Sequence, residues 1–221
     1  MPMKKKLKYS FGRLYSPDKR DNKFKMEGIP TKRVVRLWEH DFWNGNQKST
    51  PYCVGFAASH WLAAMPVQQW LDPNGLYHYA NATDEWAPKA HNGTSIRSVM
   101  KVLEKLGLIA EYQWTNSVDI LVTNVLEKSP VVVGTEWLSN MTKPKPTGFL
   151  DCSGSRVGGH AYLIIGVNTK EQYFTIKNSW GVDWGEEGTA LIHFDDMQKL
   201  IAVRNFGEVC LAVEKTPTPI F

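Results

Sequence analysis

Four side chains in this 221-residue sequence have the types and spacing that acyl transfer at a thiol requires: Gln47, Cys53, His160 and Asn178. Cys53 opens the stretch CVGFAASHWLAAM (53–65), Ala-rich, apolar and followed by Pro66, which predicts a helix. A thiol in a first helical turn meets free N–H groups and the positive end of the dipole. Both favour the thiolate, the reactive form of cysteine. A buried, inert cysteine is the competing reading, and a nucleophile also needs an imidazole to take its proton. Gln47 lies six residues before Cys53, in QKSTPYC. Pro51 and its polar neighbours predict a turn that folds the Gln47 amide back beside the helix start. That amide and the Cys53 backbone N–H would then be two donors to a developing oxyanion. Losing one such donor typically costs about 100- to 1000-fold in rate.

The other two residues sit far along the chain. GGHAYLIIG puts His160 at the start of an apolar strand, after Gly158 and Gly159. FTIKNSWGVDWGEEG puts Asn178 at the end of the next. Adjacent antiparallel strands can bring these ends together, so that the Asn178 amide orients the His160 ring. Trp180 is expected to cover that contact and keep water away.

The run KNSWGVDWGEEG, from Lys177 to Gly188, resembles the signature of the papain-like, or C1, cysteine peptidases. The order Gln, Cys, His, Asn and the six-residue step from Gln47 to Cys53 are also similar to that family. The resemblance spans roughly residues 34–215. It implies an α+β fold: a helical left lobe carrying Cys53, an antiparallel β-barrel-like right lobe carrying His160 and Asn178, and a cleft between them. It implies hydrolysis of peptide bonds in a peptide or protein substrate. In that scheme Cys53 is nucleophile, His160 acid and base, Asn178 orienter and Gln47 oxyanion donor. The NGTS segment (92–95) resembles the family's Gly-rich stretch that pairs with extended peptide by strand addition. The substrate-binding positions so implied are Gly93, Thr94, Gly159 and Trp180. There are departures. The family's usual CGSCW run reads TPYCV here, with Thr50 at the first cysteine position, so the disulfide that cysteine makes is not expected. His160 and Asn178 follow Cys53 by 107 and 125 residues, which predicts trimmed loops. PDKRD (17–21) and the lack of a long helical pro-segment point to a short prokaryotic or viral type of member.

Two rivals are weighed against this. Asp151-Cys152-Ser153-Gly154 resembles the nucleophile motif of NlpC-type cell-wall peptidases. There the cysteine opens a helix, whereas here His160 follows after eight residues and no helix fits the gap. Cys152 is read as a loop residue near the cleft rim. A catalytically silent peptide- or protein-binding member of the fold is the second rival, but such relatives often lose a triad residue and this chain has all of them. Acyl transfer to an amine is a third outcome of the same thioester. His40, His60, His78, His91 and His193 lack metal-ligand spacing, so no metal or other cofactor is expected. His60 is read as packing.

Elements must hold these groups in place. Thr94 or Ser95 could cap a second helix, SIRSVMKVLEKL, ended by Gly107, and Ser117 a third running to Lys128. Residues 72–93, with Pro, Gly and Asn signals, read mostly as loop. VVVGT (131–135), HAYLIIGV (160–167), QYFTIKNS (172–179), TALIHF (189–194) and VCLAVE (209–214) read as strands. The expected organisation is a basic extension (1–33), then a catalytic domain (34–221), mainly helical over about 34–128 and mainly strand beyond. Nine tryptophans are many for this length, and several are expected at a cleft or lobe interface.

Residues 1–36 hold twelve Lys/Arg and three Asp/Glu, a net of +9, against −5 for the remainder. Such an arm can bind a polyanion such as nucleic acid, lie across its own acidic body, or stay solvated. The Lys4-Lys5-Lys6 run is read as a solvated face. Three cysteines, an odd number, and a basic start not followed by an apolar run point to a reducing, cytoplasmic setting without a secretory signal. No stretch approaches the roughly 18 to 20 apolar residues of a membrane span, so no membrane insertion is expected.

Overall fold

The computed structural model describes residues 9–40 and 43–214; the Lys4–Lys6 run lies outside them. In chain order the elements are β1 (Val35–Leu37), α1 (Cys53–Ala63), α2 (Pro73–Thr83), α3 (Ile96–Lys105), β2 (Ile109–Thr115), α4 (Val118–Glu127), β3 (Val131–Leu138), β4 (Arg156–Asn168), β5 (Tyr173–Lys177), β6 (Thr189–His193), α5 (Phe194–Ile201) and β7 (Glu208–Glu214). The strands form one antiparallel sheet in the order β2-β7-β3-β4-β5-β6, with β1 on β4. The fold is α+β, and among the described residues β6 does not pair with β2, so the sheet curves without closing.

The apolar runs in β3 and β4 are continuous because both faces of these strands are buried. Side chains alternate across a strand. Val131, Val133, Tyr162 and Ile164 face one core with Leu121, Val125, Phe174 and Met197. Val132, Ala161 and Leu163 face a second core with Val54, Ala57, Trp61, Met100 and Leu103. The helices on the second face are therefore fixed to the same strands that carry His160. Helix α1 is buried on every side, as expected of a helix apolar all round. It meets α2 closely: a Cβ on Gly55 would lie 2.2 Å from the Pro73 carbonyl oxygen. Six of the tryptophans (38, 61, 114, 137, 180 and 184) are buried.

Several elements differ from the sequence reading. Residues 73–83 are helical, because Asp72 accepts from the N–H groups of Asn74 and Gly75 with Pro73 in the first turn. A capped start outweighs the interior Asn and Gly. Strand β2 completes a sheet edge through β7, and α5 follows β6 directly; both owe their form to tertiary pairing. Strand β4 begins at Arg156, so His160 lies inside it, opposite Thr135, and not at its start. Gly158 and Gly159 read as a boundary but continue the ladder, opposite Trp137 and Glu136.

Candidate active site

Cys53 is the first residue of α1, and Tyr52 before it makes no side-chain cap. The turn ahead is closed by the Gln47 carbonyl, which accepts from Thr50 N (3.0 Å) and Thr50 Oγ1 (2.6 Å). Gln47 is bound to the other lobe as well. Its N–H donates to Ser179 O at 2.8 Å, and its Oε1 accepts from Ser179 Oγ at 2.5 Å. The side-chain Nε2 donates to Thr50 O (2.7 Å) and Ser10 O (3.1 Å).

His160 Nε2 lies 2.9 Å from Asn178 Oδ1, which also accepts from Ser179 N at 2.7 Å. Nδ1 of His160 is buried with no hydrogen-bond partner. The ring sits in an aromatic box: Trp137 at 4.9 Å, Trp180 at 5.0 Å and Phe11 at 5.8 Å between centroids. Trp180 packs beside the ring, tilted by 34°. Trp137 and Phe11 were not foreseen, since nothing in an isolated strand or arm marks which aromatic will meet a histidine. Burial is the main force pushing the His160 pKa down to about 4, while the Asn178 bond opposes it.

Cys53 Sγ is fully buried. Backbone N–H groups of Ala161 and Gly12 face it and pull its pKa down, yet burial prevails and raises it. This corrects the expectation of a thiolate. Helix start and N–H donors favour the anion, but in the covered state the loss of water outweighs them. Burial thus pushes the thiol and the imidazole alike toward their neutral forms.

The cover is the chain's own residues 9–15. Tyr9 stacks on Trp180 at 4.0 Å, and Ser10 O takes the Gln47 amide. Gly12 O accepts from Thr94 N (2.9 Å), Leu14 N donates to Thr94 O (2.9 Å), and Arg13 N donates to Gly159 O (3.0 Å). Thr94 and Gly159 thus bind extended backbone on both its edges. Gly93 is held by α2: its N–H donates to Tyr77 Oη (2.9 Å), and its carbonyl accepts from Asn81 Nδ2 (2.7 Å). Helix α2, read as loop, therefore fixes the stretch that pairs with residues 12–14. Gly12 must be glycine here, since a Cβ would lie 1.9 Å from Pro51 O.

Of the three readings of the basic arm, residues 9–27 follow the one in which it lies across the body. Charge explains only part of it. Arg13 pairs with Glu208 at 3.2 Å, but at the Arg97–Asp21 pair the arm supplies the acid. Backbone bonds such as Met26 N to Trp114 O (2.9 Å) do the rest.

The other candidates stand apart. Cys152 lies on the loop before β4, beside a cavity lined by Glu136, Arg156, Asp196 and Lys199. Burial, aided by Asp196 and Asp151, pushes its thiol up to about 12, which disfavours the thiolate. His60 Nε2 accepts from Gly45 N (3.1 Å) and serves packing. Among the described residues no group of three or more His, Cys, Asp or Glu forms a metal site, and no helix is long and apolar enough to cross a membrane.

The Cys53 thiol at the start of α1 thus meets the N–H of Ala161, the strand residue next to an imidazole that Asn178 holds by one nitrogen. Residues 45–205 match the model for papain family cysteine proteases, and the chain belongs to that family. It is 33% identical over 79 residues to cathepsin B-like cysteine proteinase 3 of Ostertagia ostertagi, covering 35% of this chain and 45% of that protein. The chain spans less than half the length of such curated relatives. Among solved structures, xylellain, a cysteine protease from Xylella fastidiosa, superposes with a TM-score of 0.72 at 18% identity, over 98% of this chain and 100% of that one. The bromelain protease of Ananas comosus, in complex with the E64 inhibitor, gives 0.62 at 16% identity, over 83% and 100%. At such identities the likeness is one of fold.

Proposed function

We propose that the chain is a cysteine-type peptidase whose cleft is closed by its own residues 9–15. The observation that carries the chemistry is the His160 ring, tied through Nε2 to Asn178 and bare at Nδ1, beside the strand residue whose N–H faces Cys53 Sγ. Once the cleft is open, Nδ1 takes the thiol proton as Sγ attacks the peptide carbonyl carbon. The C=O π electrons move to oxygen, where the Cys53 N–H and Gln47 Nε2 stabilise the charge. The imidazolium then protonates the leaving amine as the C–N bond breaks, leaving a thioester. Water gives a proton to Nδ1 as its oxygen bonds the thioester carbonyl carbon; the tetrahedral species then collapses, the C–S bond breaks, the carboxylic acid leaves, and the proton on Nδ1 returns to sulfur to restore the thiol. Trp180 and Trp137 exclude other water from the ring.

Residues 9–15 would obstruct this without being a substrate. Gly12 offers the thiol an N–H, while its carbonyl is engaged by Thr94. A reducing compartment fits the three free thiols and is part of the same proposal. The experiment is labelling with an epoxide inhibitor of the E64 type, with mass spectrometry locating the adduct. Modification at Cys53, lost in His160→Ala, is expected. Modification at Cys152, or none on folded protein, overturns the assignment.

A further inference from the structure

His91 stands outside the catalytic pair but within the frame that holds Gly93 and Thr94. Its Nδ1 lies 2.7 Å from Lys89 O, and since a carbonyl only accepts, Nδ1 carries a proton. Nε2 has two neighbours: Asp84 Oδ2 at 2.9 Å, and Asn81 Nδ2, from the last turn of α2, at 3.0 Å. They require opposite protonation states. A carboxylate oxygen needs a proton on Nε2, whereas the Asn81 amide needs a bare nitrogen to donate to. Both neighbours also hold the stretch that grips residues 12–14. Asp84 Oδ2 accepts from Thr94 Oγ1 at 2.8 Å, and Asn81 Nδ2 donates to Gly93 O at 2.7 Å. The Asp84 side chain is completely buried, and its Oδ1 accepts from Trp86 N (3.1 Å) and Ala87 N (3.2 Å). It cannot turn away without stranding those donors. The His91 side chain is 17% exposed, so its ring can exchange protons with water.

We propose that His91 is a positioning residue whose protonation sets the grip of Gly93 and Thr94 on extended backbone: as an imidazolium it braces Asp84 behind Thr94, and as a neutral ring it passes to Asn81. The inference rests on the peptidase reading, for which it supplies a means of regulation. Thr94 N and O are the atoms that bind Gly12 and Leu14, so the same change tightens or loosens the cover of Cys53. A charge-assisted bond is stronger than a neutral one, which makes the imidazolium state the tighter. Asp84 is the charged group that faces the ring. Glu85, the next residue, turns instead to Ser16, Ser95 and Ser98. Lys89 offers its carbonyl and is itself exposed, and Tyr77 Oη is engaged by Gly93 N. The Lys89 carbonyl first, and then Asp84, raise the His91 pKa above its ordinary 6.5. The brace is therefore complete below pH 6.5 and is lost as the pH rises through the raised value.

The test is amide hydrogen exchange followed by mass spectrometry, on the full chain with and without His91→Gln, at about pH 5.5 and about pH 8.5. Exchange reads the opening of residues 9–15 and 92–95 directly. The ratio of variant to unaltered rate cancels the intrinsic pH dependence of exchange. It also cancels the ionisation of Glu208, which acts on Arg13 in both proteins. His91→Gln should open both segments roughly fivefold faster at the lower pH, the scale of one partly screened charge pair, and at a nearly equal rate at the higher. In an Asp84→Asn background the same change should have no pH-dependent effect. A His91→Gln ratio equal at the two pH values overturns the proposal, as does faster exchange in 92–95 that leaves 9–15 unchanged. Proton–nitrogen correlation spectra of the imidazole rings need no variant. In the unaltered chain His91 should lose the proton on Nε2 with rising pH and keep the one on Nδ1; loss from Nδ1 instead overturns the proposal. None of these readouts needs catalysis, so failed labelling of Cys53 would remove the peptidase reading without altering them.

Discussion

His160 gives its Nε2 to Asn178 Oδ1 at 2.9 Å and keeps its buried Nδ1 without a partner. The asparagine therefore decides which nitrogen is available for proton transfer. With Asn178→Ala the ring loses its one hydrogen bond but keeps its aromatic box. Misplacement of this order costs about 100-fold in turnover. We expect kcat to fall by about that factor with KM nearly unchanged, measured on one peptide with both proteins. A KM effect alone would mean that Asn178 serves binding.

Gly12→Ala tests the cover without touching the site or Glu208. The added methyl falls 1.9 Å from Pro51 O, so the strap formed by residues 9–15 cannot seat at this point. Cys53, fully buried in the closed chain, should react with iodoacetamide at least about tenfold faster, a shift of roughly 1.4 kcal/mol in the opening equilibrium. Equal alkylation rates would show that the strap does not govern access to the thiol.

The stability should fall on acidification. His160 and His60 are held near 4 and 3 by burial, below the free value of 6.5. Their contribution is present above pH 6.5 and is lost as the pH drops toward those values. Glu208, raised to about 7 from 4.5, opposes them: its contribution is complete below pH 4.5 and is lost as the pH rises through 7. Two histidines outweigh one carboxyl, so urea unfolding should show a loss of about 3 kcal/mol between pH 6.5 and 4.5. Glu208→Gln should make that loss steeper. A variant no steeper than the natural chain would count against a buried, protonatable Glu208.

Gly55→Ala probes the helix contact that seats Cys53. The new Cβ would lie 2.2 Å from Pro73 O and 2.9 Å from Tyr77. Overpacking of this kind costs about 1–3 kcal/mol. The thermal midpoint should drop by several degrees, at roughly 2–4 °C per kcal/mol for a chain of this size. An unchanged midpoint would mean that α1 and α2 separate without cost.

The legible parts were those set by local chemistry. Ser95 and Ser117 cap α3 and α4 as their types suggest, and the Ala-rich run after Cys53 is α1. The four residues of the candidate site were legible because each stood in a motif of fixed order. What the sequence hid depends on contacts between distant segments. Glu208 is one acidic residue at the start of an apolar strand, and its pairing with Arg13 depends on the register with Gly134. Trp137 meets His160 through β3–β4 pairing. The raised pKa of Cys53 comes from burial, which the helix start alone does not reveal.

The strap also changes what an affinity means in this protein. It is a competitor tied to its own target, and its local concentration does not fall when the sample is diluted. Every peptide binds only the fraction of molecules that is open at that moment. The measured dissociation constant is then the intrinsic one divided by that fraction. At an open fraction of about one in a hundred, a micromolar ligand would measure as roughly 100 micromolar. Weak apparent binding by the full chain is thus compatible with a tight cleft, and tightening a ligand and loosening the strap would shift the same curve.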